Sequence, residues 1–278
     1  MSRKLAAEFL SLLWMVILIL FLRWAVIEPF KIPSGSMIPT LLVGDFIFVS
    51  KSSYDLRIPF TNTPILRIAD PKRGDVIVFE YPNHERDPVK EGQYYIKRLI
   101  GLPGDRISIR RGYPLVNLTA SQVEAVRDDE KIAGLDGFRF NSNNLLFQEK
   151  LPGTSSGHWV QRYPYRGGGG NDLEDGSDPP CGRVGPHDPE ENVGAFRASQ
   201  INEICEFEVP PNQYFFMGDN RDDSADSRQW GFVDRNLLKG RALFVWFTCE
   251  SFDSGSLSRD VGQCFSSIRW SRLGKGIR

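Results

Sequence analysis

Histidine is scarce in this sequence: there are three in 278 residues, which narrows the catalytic chemistry on offer. His84, His158 and His187 all stand beside Pro, Gly, Asn or Asp in segments that read as loops, so a histidine-based triad has little to build on. Cysteine is sparse too. Cys181, Cys205, Cys249 and Cys264 lack the C-x-x-C spacing of zinc or thioredoxin-like sites, and an even set leaves disulfides and free buried thiols both open. Charge of one sign is not in excess, with 34 Lys+Arg against 35 Asp+Glu, so nothing suggests a nucleic-acid partner. Internal repeats and coiled-coil heptads are absent. No serine is followed three residues later by lysine, which excludes the S-x-x-K arrangement. The formal G-x-S-x-G match at Gly153–Gly157 lacks the apolar strand before it and the helix after it that a nucleophile elbow needs.

One long hydrophobic run is present. Residues 9–22 carry no charge, and after Arg23 the apolar character continues through Trp24, Ala25, Val26 and Ile27. A helix over 9–27 would be about 28 Å long at roughly 1.5 Å per residue, enough to cross a bilayer core. The run is longer than a cleaved leader and leads into Ile27-Glu28-Pro29-Phe30 rather than a small-x-small site, which favours a retained anchor. Arg3 and Lys4 before it place residues 1–8 in the cytoplasm and everything after about residue 28 outside.

Beyond the anchor, short β-branched and aromatic runs alternate with turn residues. Phe46–Val49, Val76–Phe79, Tyr94–Ile100 and Ile107–Ile109 read as antiparallel strands, with further strands at Cys205–Val209, Tyr214–Met217, Ala242–Phe247 and Ser267–Trp270. Residues 113–204 differ, with a short helix predicted near Ala120–Ala125 and a Gly-, Pro- and Asp-rich loop over Arg166–Glu191. The expected fold is mainly β. A transmembrane helix (9–27) precedes an antiparallel catalytic β domain (28–112 and 205–278), which is interrupted by a loop-rich α+β insertion (113–204).

Three clusters could carry chemistry. The first is Ile32–Leu41, with Ser34 and Ser36 one glycine apart between Pro33 and Pro39; alone it could be an ordinary turn after a membrane helix. The second is the apolar strand around Lys97, where alternation puts Tyr95, Lys97 and Leu99 on one face. Desolvation there would lower the lysine's pKa from about 10.4 toward the range of a general base, whereas an isolated strand lysine more often keeps its head in water. The third is Met217–Arg228, a loop of mixed Asp and Arg. Its carboxylates fail the EF-hand template, because Arg221 falls at a ligand position, Ser224 replaces the turn glycine and Trp230 stands where the bidentate Glu belongs. An ion pair such as Asp226 with Arg228 suits it better, leaving Ser224 to hydrogen-bond a neutral lysine.

Together, in this order after an anchor, the boxes Pro33–Leu41, Lys97–Asp105 and Gly218–Arg228 resemble those of the bacterial type I signal peptidases. The resemblance implies a membrane-bound serine endopeptidase that removes signal peptides from exported preproteins, with no metal or organic cofactor. It makes Ser36 the nucleophile, Lys97 the general base and Ser224 the hydroxyl orienting it. Ser34 and the Ser36 N–H would form the oxyanion hole, supported by Asp226 and Arg228. Phe30, Ile32, Pro33, Met37, Leu41, Tyr95 and Ile96 would line a pocket for small substrate side chains, with Tyr94 at its edge. It also implies an apolar surface resting on lipid at the outer side of the cytoplasmic membrane. Whether the protein works beside the export channel stays open. A self-cleaving repressor-type Ser-Lys protease would carry a DNA-binding helix-turn-helix in place of the anchor, and an inactive tethered module would have lost Ser36 or Lys97.

Overall fold

The computed structural model describes residues 8–16, 27–58, 63–82, 89–110, 113–125, 145–162, 206–249, 264 and 268–277. Residues 8–16 are helical and exposed throughout. The rest of the expected anchor, 17–26, lies outside the described residues, as do the loop over 166–191 and the cysteines 181 and 205. Among the described residues no helix is long and apolar enough to cross a membrane. At its outer end the anchor expected over 9–27 gives way to strand, because Ile27 already pairs with Ser50.

Among the described residues sixteen strands follow. The first seven are β1 (Ile27–Lys31), β2 (Asp45–Ser50), β3 (Asp55–Arg57), β4 (Pro64–Arg67), β5 (Val76–Glu80), β6 (Tyr94–Gly101) and β7 (Arg106–Arg110). Next come β8 (Tyr113–Val116), β9 (Thr119–Ala120), β10 (Gln122–Ala125), β11 (Leu145–Lys150) and β12 (His158–Arg162). The last four are β13 (Glu206–Glu208), β14 (Gln213–Met217), β15 (Val233–Asp234) and β16 (Leu238–Thr248). The main sheet runs β1-β2-β16-β5-β6-β14-β15, beside sheets β13-β7-β8-β9, β10-β11-β12 and β3-β4.

Alternation along β2, with every second residue buried, and the near-continuous burial of β5 follow from their positions in the sheet: β2 packs one face, whereas β5 is covered on both. Apolar clusters form the core. One gathers Ile32, Met37, Leu41, Ile47, Val49, Val76, Val78, Ala242 and Val245, and a second centres on Ile77, Phe79, Leu99 and Phe216. Each fully buried side chain of this kind contributes about 1.5–3 kcal/mol.

Three expectations are corrected. The helix near Ala120–Ala125 is instead β9 and β10, because Gln122–Ala125 finds an edge on β11. Residues 113–120 do not split off as part of an insertion, since β8 and β9 extend the sheet begun by β7 and β13. In place of the strand expected at Ser267–Trp270, the described part turns into a 3-10 helix, Trp270–Arg272. A side chain decides that last case. Arg272 is fully buried, with Nη2 2.5 Å from Asp45 Oδ2 and also donating to Thr40 O at 3.0 Å. Thr248 donates to the other Asp45 oxygen, and Cys249 is disulfide-bonded to Cys264 nearby in sequence.

Arg272→Ala should therefore destabilise the domain by about 3–5 kcal/mol, because it strips the buried Asp45 carboxylate of its hydrogen-bonded counter-charge and leaves only Arg269, 3.7 Å away. Urea unfolding followed by tryptophan fluorescence checks this, and a loss no larger than that of an exposed arginine would contradict it.

Candidate active site

Ser36 lies in a turn whose base is closed by two backbone bonds, Ile32 N–H to Asp45 O at 2.8 Å and Gly44 N–H to Ile32 O at 3.0 Å. Inside it Ile38 N–H bonds Gly35 O and Leu41 N–H bonds Met37 O, while Met37 and Leu41 are fully buried beneath the serine. Lys97 approaches from β6, and its Nζ lies 2.5 Å from Ser36 Oγ. Lys97 is 3% exposed, with its Nζ 5.8 Å from the Tyr95 ring centre, as the alternation along the strand implies. Burial lowers the lysine pKa from 10.5 to about 8; Asp226 and Asp219 push it back up and Arg228 pushes it down.

The 217–228 loop forms the other wall. Asn220 reaches the serine turn twice, from its backbone N–H to Ser36 O and from its side-chain amide to Gly35 O, both at 3.1 Å. Gly218 is required here by close approach, since a Cβ would sit 2.5 Å from Ser36 O and 2.6 Å from Ser224 Cβ. The ion pair expected between Asp226 and Arg228 is present, with two contacts of 2.8 Å. Asp226 also accepts from Gly218 N–H and Arg228 N–H, so one buried carboxylate fixes both ends of the loop. Burial tends to raise the Asp226 pKa, but Arg228 and these bonds hold it below the usual carboxylate range.

Sequence reasoning missed a second buried pair. Arg98, on the face of β6 opposite Lys97, grips Asp219 through Nε–Oδ1 at 2.7 Å and Nη2–Oδ2 at 2.6 Å, while Thr40 donates to Asp219 at 2.5 Å. Burial pushes the Asp219 pKa up, but the charge of Arg98 and the hydrogen bonds from Arg98 and Thr40 together hold it below the usual carboxylate range. His158, which read as a loop histidine, is buried in β12 with its Nε2 3.1 Å from Glu149 Oε2 but out of line for a hydrogen bond. Burial, and then the charge of Arg98, keep it neutral by lowering its pKa. The Gly153–Gly157 match is the turn between antiparallel β11 and β12, with no helix after it.

Of the remaining sequence-derived residues, Phe30, Ile32, Met37, Leu41 and Ile96 share one apolar cluster beside the serine turn. Tyr95 packs instead with Tyr81 and Trp230, and Pro33 is exposed. The Phe30 and Tyr94 rings meet edge-on at 5.6 Å, bringing β1 toward the start of β6 although β2, β16 and β5 lie between them in the sheet. Ser34 is exposed. The Ser224 hydroxyl lies against Gly218 and donates weakly to Ala225 O at 3.5 Å, so in this geometry the lysine's hydrogen bond goes to Ser36 rather than Ser224. Among the described residues no group of His, Cys, Asp and Glu could hold a metal ion.

Comparison with known proteins places the chain in a family. The family described as "Signal peptidase, peptidase S26" matches residues 5–247. Signal peptidase I of Buchnera aphidicola subsp. Baizongia pistaciae is 31% identical over 98% of this chain and 84% of its own length. That of Rickettsia typhi is 32% identical over 99% and 95%, and that of Pseudomonas aeruginosa 35% identical over 83% and 68%. A serine endopeptidase by descent, the chain belongs to the signal peptidase family, peptidase S26.

Proposed function

We propose that this protein removes signal peptides from exported preproteins by Ser-Lys catalysis, with Ser36 as nucleophile and Lys97 as general base. The observation that carries the reading is the 2.5 Å separation of Lys97 Nζ and Ser36 Oγ at a lysine that is 3% exposed. A neutral amine at that distance accepts the hydroxyl proton as Oγ attacks the scissile carbonyl. The resulting ammonium protonates the leaving amine, the acyl-enzyme remains, and the lysine, neutral again, activates the water that releases it. Among the described residues the Ser36 N–H has no acceptor in the protein, so it is available to the developing oxyanion, with the exposed Ser34 hydroxyl as its partner. Asp226 and Arg228 hold the loop that carries Ser224, the hydroxyl assigned to orient the lysine. The partly buried Phe30 and Ile96 would meet the small side chains before the cut, backed by the buried Ile32, Met37 and Leu41 and flanked by Pro33 and Tyr95.

The same reading anchors the chain in the cytoplasmic membrane through the apolar run 9–27, with the catalytic domain on the outer side. An aromatic surface supports contact with lipid: Phe46, Phe48, Phe244, Trp246 and Phe247 touch one another along β2 and β16, Phe48 and Trp246 stacking at 5.3 Å, and Trp270 is 71% exposed.

Purified full-length protein should cut an exported precursor after a small residue, while Ser36→Ala and Lys97→Met each lose about 10³-fold or more of kcat. Cleavage by Ser36→Ala at the parent rate, with the cut located by mass, would sink the mechanism. The rate should rise with pH through about 8, where Lys97 becomes neutral. Asp226→Asn removes the largest influence holding that proton on, so the rising limb should move to lower pH while the maximal rate falls because the loop loses its anchor. A limb that stayed in place or moved upward would show that Lys97 is not the titrating base. A form lacking residues 1–26 should still sediment with phosphatidylethanolamine–phosphatidylglycerol vesicles, and Trp246→Ser with Trp270→Ser should release it. Equal sedimentation of both forms would remove lipid contact from that surface.

A further inference from the structure

The hairpin formed by β11 and β12 lies in the region that sequence alone left without a role, yet buried polar groups on both of its strands reach the 217–228 loop. Glu149 on β11 is fully buried and binds Arg221, itself 1% exposed, through both guanidinium nitrogens, Nη1–Oε1 at 3.0 Å and a shorter Nη2–Oε2 contact. From there the Arg221 Nε donates to Gly218 O at 3.2 Å. On β12, Gln161 N–H donates to Asp219 O at 2.9 Å and Arg221 N–H donates to Gln161 O at 3.0 Å, a parallel bridge that seizes the loop on either side of Asn220. Asn220 is the residue that binds the Ser36 and Gly35 carbonyls. The path from Glu149 to the nucleophile therefore runs through Arg221 and its neighbour Asn220.

We propose that this hairpin is a working part of the active site and that Glu149 is a positioning residue, holding the 217–228 loop, and with it the Ser36 turn, in register with Lys97. Contacts serving cohesion alone are made well enough by apolar side chains, and a buried ion pair adds little net stability over them. What a bidentate carboxylate–guanidinium pair adds is direction, since it fixes the plane and the reach of Arg221. Glu149 suits that role because it keeps its charge. Burial would raise its pKa, but the Arg221 guanidinium beside it holds it far below the usual range. Asp219 and Asp226, the other carboxylates that act on Arg221, are themselves engaged by Arg98 and Arg228, leaving Arg221 as the partner that Glu149 directs.

The proposal rests on the Ser36–Lys97 reading, and the experiment separates the two. Steady-state cleavage of a peptide spanning a signal-peptide junction is measured with the full-length parent, Glu149→Gln, Glu149→Asp and Ser36→Ala in detergent, the folded fraction of each being read by near-ultraviolet circular dichroism. Glu149→Gln should lose about 10²-fold in kcat with KM unchanged, the cost of a small misplacement at the reacting atoms, and Glu149→Asp should fall between it and the parent. An unchanged kcat in folded Glu149→Gln, or a loss matching its unfolded fraction, would overturn the proposal. If the glutamine variant does not fold, Glu149→Asp decides by the same criteria. Parent-like cleavage by Ser36→Ala would instead defeat the underlying mechanism, whatever Glu149 does.

Discussion

An amine on a flexible four-carbon arm carries a proton at neutral pH unless water is kept from it, and the arrangement around Lys97 answers to that constraint. Its burial competes with two nearby carboxylates, Asp226 and Asp219, that favour the ammonium. Burial wins. Moving the lysine from 10.5 to about 8 corresponds to roughly 3 kcal/mol against the charged form. The outcome depends on both carboxylates being already engaged, Asp226 by Arg228 and Asp219 by Arg98, each through two contacts shorter than 3 Å. Arg228, which pairs with Asp226, acts on the lysine in the same direction as burial.

These pairs also join distant parts of the chain. Arg98 and Asp219 are 121 residues apart, Thr40 and Asp219 179, and Arg272 and Asp45 227. Their net contribution to stability is small, because desolvation offsets most of the attraction; the apolar clusters supply the cohesion. Geometry is what they contribute. The serine turn is held at one end by Arg272 through Asp45 and the Thr40 carbonyl, and at the other by Asn220. The first end cannot shift without separating a buried charge from its partner, nor the second without breaking both Asn220 hydrogen bonds.

Sequence patterns revealed the parts of this that are local. Strands β2, β5, β6, β7 and β14 appear as apolar runs between turn residues, and the Asp226–Arg228 pair is two residues apart, close enough to be read from the loop itself. Arg98 was not legible as a buried partner of Asp219, nor Glu149 of Arg221, because such pairs depend on tertiary contact and leave no periodic trace. His158 misled for a related reason: Gly157 before it signals a turn, and the turn is there, but the histidine already belongs to the strand leaving it. The stretch 120–125 shows the same limit, since its Ala and Glu suit a helix while the free edge of β11 imposes a strand.

The orientation of the oxyanion donor follows from the same contacts. In a trans peptide the C=O of one residue and the N–H of the next point in opposite directions in one plane. Gly35 O accepts from both Ile38 N–H and the Asn220 side-chain amide, which fixes the plane of the Gly35–Ser36 peptide. Fixing that carbonyl toward Asn220 aims the Ser36 N–H the other way. A second bond, Asn220 N–H to Ser36 O, holds the following plane. The serine therefore sits between two immobilised peptides, so in the proposed mechanism its N–H meets the developing negative charge without reorganising. Asn220 takes no part in bond making, yet it sets the direction of the group that would stabilise it, and Gln161 and Arg221 in turn hold Asn220.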